Sequence, residues 1–85
     1  MTFSTIWSEN SLKQLRKLDQ HVAKRIITAV EGLKENPYRH VKKIIGEDKT
    51  FRLRVGDYRV LMDISNQQLH VLVLKIGHRS MIYKR

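Results

Sequence analysis

Between residues 51 and 62, apolar side chains alternate with arginines on either side of Gly56-Asp57. A period of two is typical of a strand with one buried face, and Gly-Asp between two such runs predicts a hairpin with a two-residue loop. The predicted register pairs Val55 with Tyr58, Arg54 with Arg59, Leu53 with Val60 and Arg52 with Leu61. One face is then apolar throughout and carries Phe51, Leu53, Val55, Tyr58, Val60 and Met62.

The opposite face of this hairpin gathers Arg52, Arg54 and Arg59. Two arginines directly across from each other destabilise a sheet unless an anionic group lies between them. We therefore expect this face to bind an anion.

Residues 8–36 show the spacing of two amphipathic helices. Ser8 is the expected N-cap of a helix that ends near Leu18, and Asp19 is the expected N-cap of a longer one that Asn36-Pro37 stops. The short connection predicts a helical hairpin. Its apolar stripe consists of Leu12, Leu15, Leu18, Val22, Ala23, Ile26, Ile27, Val30 and Leu33, and its solvated face carries Lys13, Arg16, Lys17, Lys24 and Arg25.

Three further strands are predicted. Residues 3–7 form a short opening strand, and residues 41–45 form another, with Ile44 and Ile45 tucked under the sheet. Residues 69–76 are the most β-like run and should form a central strand after a turn at Asn66-Gln67. The whole is a single α+β domain, residues 1–85: a short N-terminal strand, a helical hairpin, and an antiparallel β-meander packed on the helices.

The predicted central strand places apolar side chains beside the arginines. Val71 and Val73 join the apolar face, whereas His70, Leu72, Leu74 and Ile76 lie on the arginine face. A solvated sheet face is normally polar, so Leu61, Leu72 and Leu74 around a cationic patch indicate a binding surface.

The segment that starts at Gly77 breaks this simple pattern. Strict alternation would put His78 on the arginine face and Arg79 on the helix-packed face, which is unfavourable for a charged side chain. A bulge or turn at Gly77 would let Arg79 and Tyr83 reach the cationic patch.

The charge of the chain indicates what kind of partner it binds. The 85 residues include 17 Lys and Arg against 8 Asp and Glu, for a net charge of +9, and residues 49–85 hold eight basic residues against two acidic ones. An acidic partner is the expectation. The chain has no cysteine, no basic leader and no apolar run long enough for a membrane span, so we expect a cytoplasmic protein without contact to a membrane.

The residue types also narrow the chemistry. The four histidines lack ligand spacing, the carboxylates do not cluster, and no phosphate-binding glycine loop or nucleophile motif occurs, so no metal or cofactor is expected. The chemistry left is metal-free work on phosphate, and a ribonuclease of that kind uses the 2′-hydroxyl of RNA as the nucleophile. Arginines suit the orientation of the RNA and the stabilisation of phosphoryl charge, and Tyr83 or His78 could move protons. The alternative stays open, because arginines on a strand are more often solvated or paired than catalytic, and a tyrosine near a C-terminus more often packs.

The element order, with Phe-Arg-Leu-Arg-Val-Gly-Asp-Tyr-Arg-Val-Leu at 51–61 and Gly-His-Arg-x-x-Ile-Tyr at 77–83, resembles the RelE/ParE superfamily of toxins over nearly the whole chain. The resemblance to RelE-like members implies an endoribonuclease that cuts messenger RNA in the ribosomal A site through 2′-hydroxyl attack, which gives a cyclic phosphate.

The resemblance also implies roles for individual residues. Arg59 and Arg79 would stabilise the phosphoryl charge, and Tyr83 would stack on a base or transfer a proton. Arg52 and Arg54 would hold the backbone and help to activate the nucleophile. Some relatives have lysine where this chain has Arg52 and Arg54, which weakens a general-base role because guanidinium rarely deprotonates. RNA contacts are expected at Lys49, His78 and Lys84, and an acidic, RelB-like antitoxin is expected on Leu61, Leu72 and Leu74.

Two other functions remain open at this point. ParE-like members inhibit DNA gyrase and generally lack the arginine and tyrosine set that this chain retains. A non-catalytic RNA-binding module would typically expose aromatic side chains on its sheet for base stacking, whereas Phe51 and Tyr58 fall on the apolar face.

Overall fold

The computed structural model describes residues 2–81. Its elements are β1 (Ser4–Trp7), α1 (Glu9–Arg16), α2 (Gln20–Glu31), β2 (Val41–Lys43), β3 (Thr50–Val55), β4 (Tyr58–Ser65) and β5 (His70–His78). The strands form one sheet in the order β1-β5-β4-β3-β2, with β1 parallel to β5 and the other neighbours antiparallel. The predicted α+β class is confirmed.

Both helices begin at the predicted caps. The Ser8 hydroxyl accepts a hydrogen bond from the Ser11 N–H at 3.0 Å, and the Asp19 carboxylate accepts one from the His21 N–H at 3.3 Å. These caps satisfy amide groups that the first turn of a helix leaves without partners. Both helices pack against the core face of the sheet, α1 against β5 and α2 against β3.

The core fills the space between the helices and that face. It is built from the apolar face of the β3–β4 hairpin, the matching residues of β5 and the inner stripe of α2. The buried apolar residues are Phe3, Ile26, Val30, Leu33, Leu53, Val55, Val60, Met62, Ile64, Val71, Val73 and Ile76. The opposite face of the sheet has no helix over it among the described residues, and this open face carries the arginines.

The hairpin register predicted from the sequence is confirmed. Arg54 lies opposite Arg59, and Val55 opposite Tyr58, around the loop at Gly56-Asp57. Gly56 has φ +58°, a backbone conformation that suits glycine at the first loop position of a tight hairpin. The sheet thus places the two facing arginines side by side on its open face.

The turn between β4 and β5 is longer than predicted. It spans residues 66–69 rather than two residues, and Leu69 adopts a positive φ of 51°. Ser65 therefore pairs with His70. The register differs from the predicted one by two residues, an even number, so Val71 and Val73 still reach the core.

A β-bulge at Leu74 changes the second half of β5. Met62 pairs with Val73 but Leu61 pairs with Lys75, so Leu74 is an extra residue without a partner on β4. The break predicted at Gly77 thus occurs three residues earlier. Ile76, expected on the arginine face, is instead only 3% exposed and lies in the core. His78, also expected on the arginine face, pairs with Tyr58 and contacts its ring edge-on.

Side chains of α1 and its cap satisfy the backbone of this bulge. The Leu74 carbonyl accepts from the Ser8 hydroxyl at 3.1 Å and the Asn10 amide at 3.4 Å, and the Ile76 N–H donates to Gln14 Oε1 at 2.6 Å. Directly after β1, the Ser8 N–H also donates to the Val73 carbonyl. The start of α1 thereby fixes the register of the strand that leads to Arg79.

The hairpin between β2 and β3 departs from the expectation. β2 stops at Lys43, and Ile45 is fully exposed instead of lying under the sheet. Gly46, with φ +88°, turns the chain there and carries Ile45 into solvent. In the part of the chain that the structure describes, neither helix is long and apolar enough to span a membrane.

Candidate functional site

A basic cleft of about 440 Å³ opens at the end of the sheet where β3 meets β4. Its walls are side chains from the open face of β2, β3 and β4 and from the segment after β5. The lining residues are His40, Lys42, Arg52, Arg54, Arg59, Arg79 and Ser80. No carboxylate lies among these lining residues, so the cleft presents concentrated positive charge.

The hairpin loop anchors two of these arginines through its carbonyl groups. Arg59 Nη1 donates to the Gly56 carbonyl at 3.1 Å and to the Tyr58 carbonyl at 3.0 Å. The Arg79 N–H donates to the Asp57 carbonyl at 2.8 Å. Three successive carbonyls of one tight loop therefore hold the side chain of Arg59 and the backbone of Arg79.

A short turn after β5 completes this wall of the cleft. The Ser80 N–H donates to His78 Nδ1 at 3.2 Å, the Ser80 hydroxyl lies 2.9 Å from the same nitrogen, and the Met81 N–H donates to the His78 carbonyl at 2.8 Å. These contacts hold the His78 ring in place beside the cleft through its Nδ1. The His78 ring also rests on Tyr58, with 5.6 Å between ring centroids.

Acidic groups near the open face have partners of their own. Asp63 Oδ1 accepts from the Thr50 hydroxyl at 2.7 Å across the β3–β4 ladder. Asp57 contributes its backbone carbonyl, and its side chain is not among the lining residues of the cleft. Carbonyl groups of the hairpin loop accept from the Arg59 guanidinium. No carboxylate of the described residues lines the cleft that Arg59 shares with Arg54, so the open cleft favours an anionic ligand.

The structure brings some of the predicted site residues together and separates others. Arg52, Arg54, Arg59 and Arg79 line one cleft. Lys49 lies in a different depression beside Asp63 and Leu72, and His78 packs beside the cleft rather than lining it. Tyr83 and Lys84 lie outside the described residues. Leu61, Leu72 and Leu74 are half-buried on the open face.

Sequence reasoning missed three residues of the cleft. The sequence pattern did not place His40, Lys42 or Ser80 in a site with the arginines. β2 aligns Lys42 with Arg52 across the sheet. Pairing the weak β2 pattern with the hairpin would have revealed this neighbour, because Lys42 then shares a face with the arginines.

No constellation for metal binding occurs among residues 2–81, where no three His, Asp or Glu side chains lie close enough to hold an ion. The chemistry that the described residues offer is that of a phosphate-binding cleft: planar guanidinium groups that can engage phosphate oxygens in pairs.

Comparison with known proteins agrees with this description. A family model described as "ParE toxin of type II toxin-antitoxin system, parDE" matches residues 5–83. Toxin RelG of Mycobacterium tuberculosis is 29% identical over 87 residues, which cover 100% of both chains. Toxin RelE3 of Methanocaldococcus jannaschii is 25% identical over 83 residues, 92% of each chain.

Solved structures of toxin–antitoxin complexes share the fold. The RelBE2 complex of Mycobacterium tuberculosis includes a chain that aligns with a TM-score of 0.83 and 26% identity, covering 93% of this chain and 100% of that one. The archaeal RelE-RelB complex of Pyrococcus horikoshii also aligns with a TM-score of 0.83, at 24% identity over 95% of this chain and 99% of that one.

The fold, the basic cleft and these relatives together define a RelE-like toxin of a toxin–antitoxin system. The chain belongs to the ParE toxin family of type II systems, and the predicted membership of the RelE/ParE superfamily is confirmed.

Proposed function

We propose that this toxin is a ribosome-dependent endoribonuclease that cleaves messenger RNA in the ribosomal A site and so inhibits translation in the cytoplasm. The observation that carries the proposal is the cleft in which Arg52, Arg54, Arg59 and Arg79 converge with no carboxylate among the lining residues. Relatives named RelE and RelG toxins support the same class of activity.

The proposed reaction needs no metal. The 2′-oxygen of one nucleotide attacks the adjacent phosphorus, the bond from phosphorus to the 5′-oxygen breaks, and a 2′,3′-cyclic phosphate and a 5′-hydroxyl result. One proton leaves the 2′-hydroxyl and one reaches the departing 5′-oxygen. The protein has to orient the RNA, balance the negative charge that grows on the phosphoryl oxygens, and move these protons.

The arginines divide the first two tasks. Arg59 and Arg79 stabilise the phosphoryl charge, since the Gly56-Asp57-Tyr58 loop holds the side chain of one and the backbone of the other before substrate arrives. Arg52 and Arg54, on the neighbouring strand, hold the RNA backbone. Tyr83 and His78 are the candidates for proton transfer, and Nδ1 of His78 accepts a hydrogen bond from the Ser80 N–H.

The decisive experiment maps messenger ends after induced expression. We expect new 5′-hydroxyl ends at ribosome-occupied codons in wild type and none in an Arg59→Met, Arg79→Met double variant. In a separate reaction with purified ribosomes, cleavage should persist when magnesium is limited to the level that keeps the ribosomes intact. Intact messengers in growth-arrested cells that express the wild type would refute the nuclease proposal.

Inhibition of DNA gyrase is the alternative function, because the matching family model describes ParE toxins of parDE systems. A gyrase inhibitor would block supercoiling by purified gyrase and leave messenger ends unchanged. A supercoiling assay with the purified toxin therefore separates the two functions, and the arginine-lined cleft leads us to expect no inhibition.

An acidic, RelB-like antitoxin is the second part of the proposal, supported by neighbours that were solved as RelE-RelB complexes. It would place an amphipathic segment over Leu61, Leu72 and Leu74 and its carboxylates near the arginines. Ile6 extends this apolar strip, since it pairs with Leu72 across β1 and β5 and is 45% exposed. Leu72→Glu should weaken the complex, whereas Ile45→Glu, at the exposed hairpin tip, should not. Equal affinities would move the contact elsewhere.

A further inference from the structure

His40 stands at the end of a row of basic side chains that crosses the sheet. β2 pairs Lys42 with Arg52. The same antiparallel register, continued by two residues, brings His40 level with Arg54, which itself lies opposite Arg59 on β4. Because side chains alternate between the two faces of a strand, His40 and Lys42 share the face of these arginines, and both line the basic cleft.

The His40 ring is accessible to a ligand in this cleft. Its side chain is exposed, and no hydrogen bond or ion pair joins it to the rest of the described chain. His40 also lines a hollow of about 450 Å³ toward α2, where its neighbours Ala29, Gly32 and Leu33 carry no charge. Both nitrogens of the His40 ring are therefore available to a bound substrate.

The charged groups that line the cleft with His40 are all cations. They are Lys42 from β2, Arg52 and Arg54 from β3, Arg59 from β4 and Arg79 from the segment after β5. Charged arginine and lysine side chains have no lone pair with which to accept a proton. Imidazole has one when it is neutral, and histidine is the residue type that gains and loses a proton between pH 5 and 8. Among the basic side chains of the cleft, His40 is therefore the one suited to take a proton from RNA.

The position of His40 also suits the geometry of the proposed reaction. The attacking 2′-oxygen and the departing 5′-oxygen lie on opposite sides of phosphorus, so the two proton transfers take place on opposite sides of the phosphate. β2 lies three strand spacings from β5, which is about 14 Å at about 4.8 Å per spacing. A phosphate held by Arg54 and Arg59, on the two strands between, would have His40 on one side and the segment after β5 on the other.

We propose that His40 is the general base of the cleavage reaction. One of its ring nitrogens takes the proton of the 2′-hydroxyl as the bond from the 2′-oxygen to phosphorus forms. The bond from phosphorus to the 5′-oxygen breaks as that oxygen receives a proton on the side of the segment after β5, and the proton on His40 returns to solvent after the products leave. The inference rests on the proposed nuclease function and deepens it by naming the group that accepts the first proton.

The test measures single-turnover cleavage of ribosome-bound messenger by purified toxin between about pH 6 and pH 8.5. The wild-type rate should fall as the pH is lowered, because protonated imidazole cannot accept a proton. His40→Gln should lose this fall and cleave about 10²–10⁴-fold more slowly, with ribosome affinity within a few-fold of wild type. His21→Gln is the matched control, since it makes the same substitution at an exposed histidine of α2 that does not line the cleft, and it should match wild type.

His40→Lys separates proton transfer from positive charge. It keeps a cation that can bind phosphate but has no lone pair while it is charged, so it should cleave as slowly as His40→Gln. Wild-type rates in His40→Lys would mean that position 40 contributes charge alone.

Two other results would overturn the role of His40. An unchanged pH profile in His40→Gln would assign the base to another group, and a loss of affinity equal to the loss of rate would make His40 a binding residue. In each of these cases the wild type still cleaves messenger, so the proposed nuclease function survives. Intact messenger with the wild type at every pH would instead refute the nuclease function and the role of His40 with it.

Discussion

Arg54 and Arg59 face each other across the β3–β4 hairpin but have different surroundings. Arg59 donates to two carbonyls of its own loop. The side chain of Arg54 is exposed, and it has no hydrogen bond or ion pair with the described residues. The sequence predicted the facing pair but not the loop carbonyls, because a side-chain bond to the backbone depends on the rotamer and not on the pattern.

Replacing each arginine by methionine should separate repulsion from anchoring. Like charges directly opposite on a sheet cost on the order of 0.2–1 kcal/mol, so Arg54→Met should raise the free energy of unfolding by about that amount. Arg59→Met removes the same repulsion but also two hydrogen bonds, each contributing about 0.5–1.5 kcal/mol, so it should leave stability unchanged or lower it. Urea denaturation at low salt measures both. Equal gains in the two variants would mean that the carbonyl bonds contribute nothing.

A hydrogen bond between Thr5 and Glu31 connects β1 to α2, and its contribution to stability depends on pH. The Thr5 hydroxyl donates to Glu31 Oε2 at 2.6 Å, and Lys34 Nζ lies 2.8 Å from Oε1. The hydrogen bond from Lys34, and then that from Thr5, lower the pKa of Glu31 below its ordinary value of 4.5. A lowered pKa stabilises the fold above the ordinary value, and this contribution is lost as the pH falls through the pKa of the folded state.

Thr5→Val should therefore destabilise the protein near neutral pH and raise the pKa of Glu31 toward 4.5. The difference in stability from wild type should shrink as the pH falls below that value. The protonated carboxyl carries no charge, so the hydrogen bond from Thr5 is no longer charge-assisted. An NMR titration of the Glu31 carboxyl and denaturation at several pH values check this. A stability difference that stays constant down to acid pH would contradict it.

The bulge on β5 depends on α1 in a way that mutation can reveal. Gln14→Leu removes the acceptor of the Ile76 N–H in a partly buried place, which should cost about 1–3 kcal/mol. Gln14→Glu keeps a carboxylate oxygen for the same N–H and should retain most of the stability. Gln67→Leu, in the exposed turn, is the matched control. If Gln14→Leu were as mild as the control, the bulge would not need α1.

The two differences from the expected register on β5 show what a sequence pattern can and cannot specify. The longer turn moved the pairing by two residues, which the alternation tolerates, so the core valines were predicted correctly. The bulge adds one residue to β5, and a shift of one residue moves each following side chain to the opposite face of the sheet. Nothing in Val73-Leu74-Lys75 marks it, because its hydrogen-bond partners lie in and before α1, including Gln14, which is sixty-two positions before Ile76. The position of Ile76 was wrong for this reason.

At the scale of the whole molecule, local alternation was enough to predict that the hairpin arginines share one face. It was not enough to predict the other residues that line the cleft. Its other walls come from β2 and from the turn after β5, and both depend on the order of strands in the sheet. The parallel pairing of β1 with β5 was likewise beyond the local pattern, since residues 4–7 and 70–73 meet only after the helices fold between them.

The net charge of +9 predicts RNA binding that weakens with salt, but the slope should be set by the cleft. Each phosphate contact with a single strand contributes about −0.7 to the slope of log K against log salt. Arg54→Met and Arg59→Met should each reduce the magnitude by about that amount, and Lys13→Met, on the helical hairpin, should not. Fluorescence anisotropy with labelled oligouridine gives the slopes. Equal reductions in all three variants would mean that binding spreads over the whole surface.

The parallel pairing of β1 with β5 also has a consequence in time. During synthesis β1 leaves the ribosome early, but its partner on β5 ends at Val73, so β1 waits through most of the chain for the strand that holds it. Arg79, which completes the cleft, is made later still. A partly synthesised chain therefore carries the hairpin arginines without the complete cleft, which can form only after synthesis has passed residue 79.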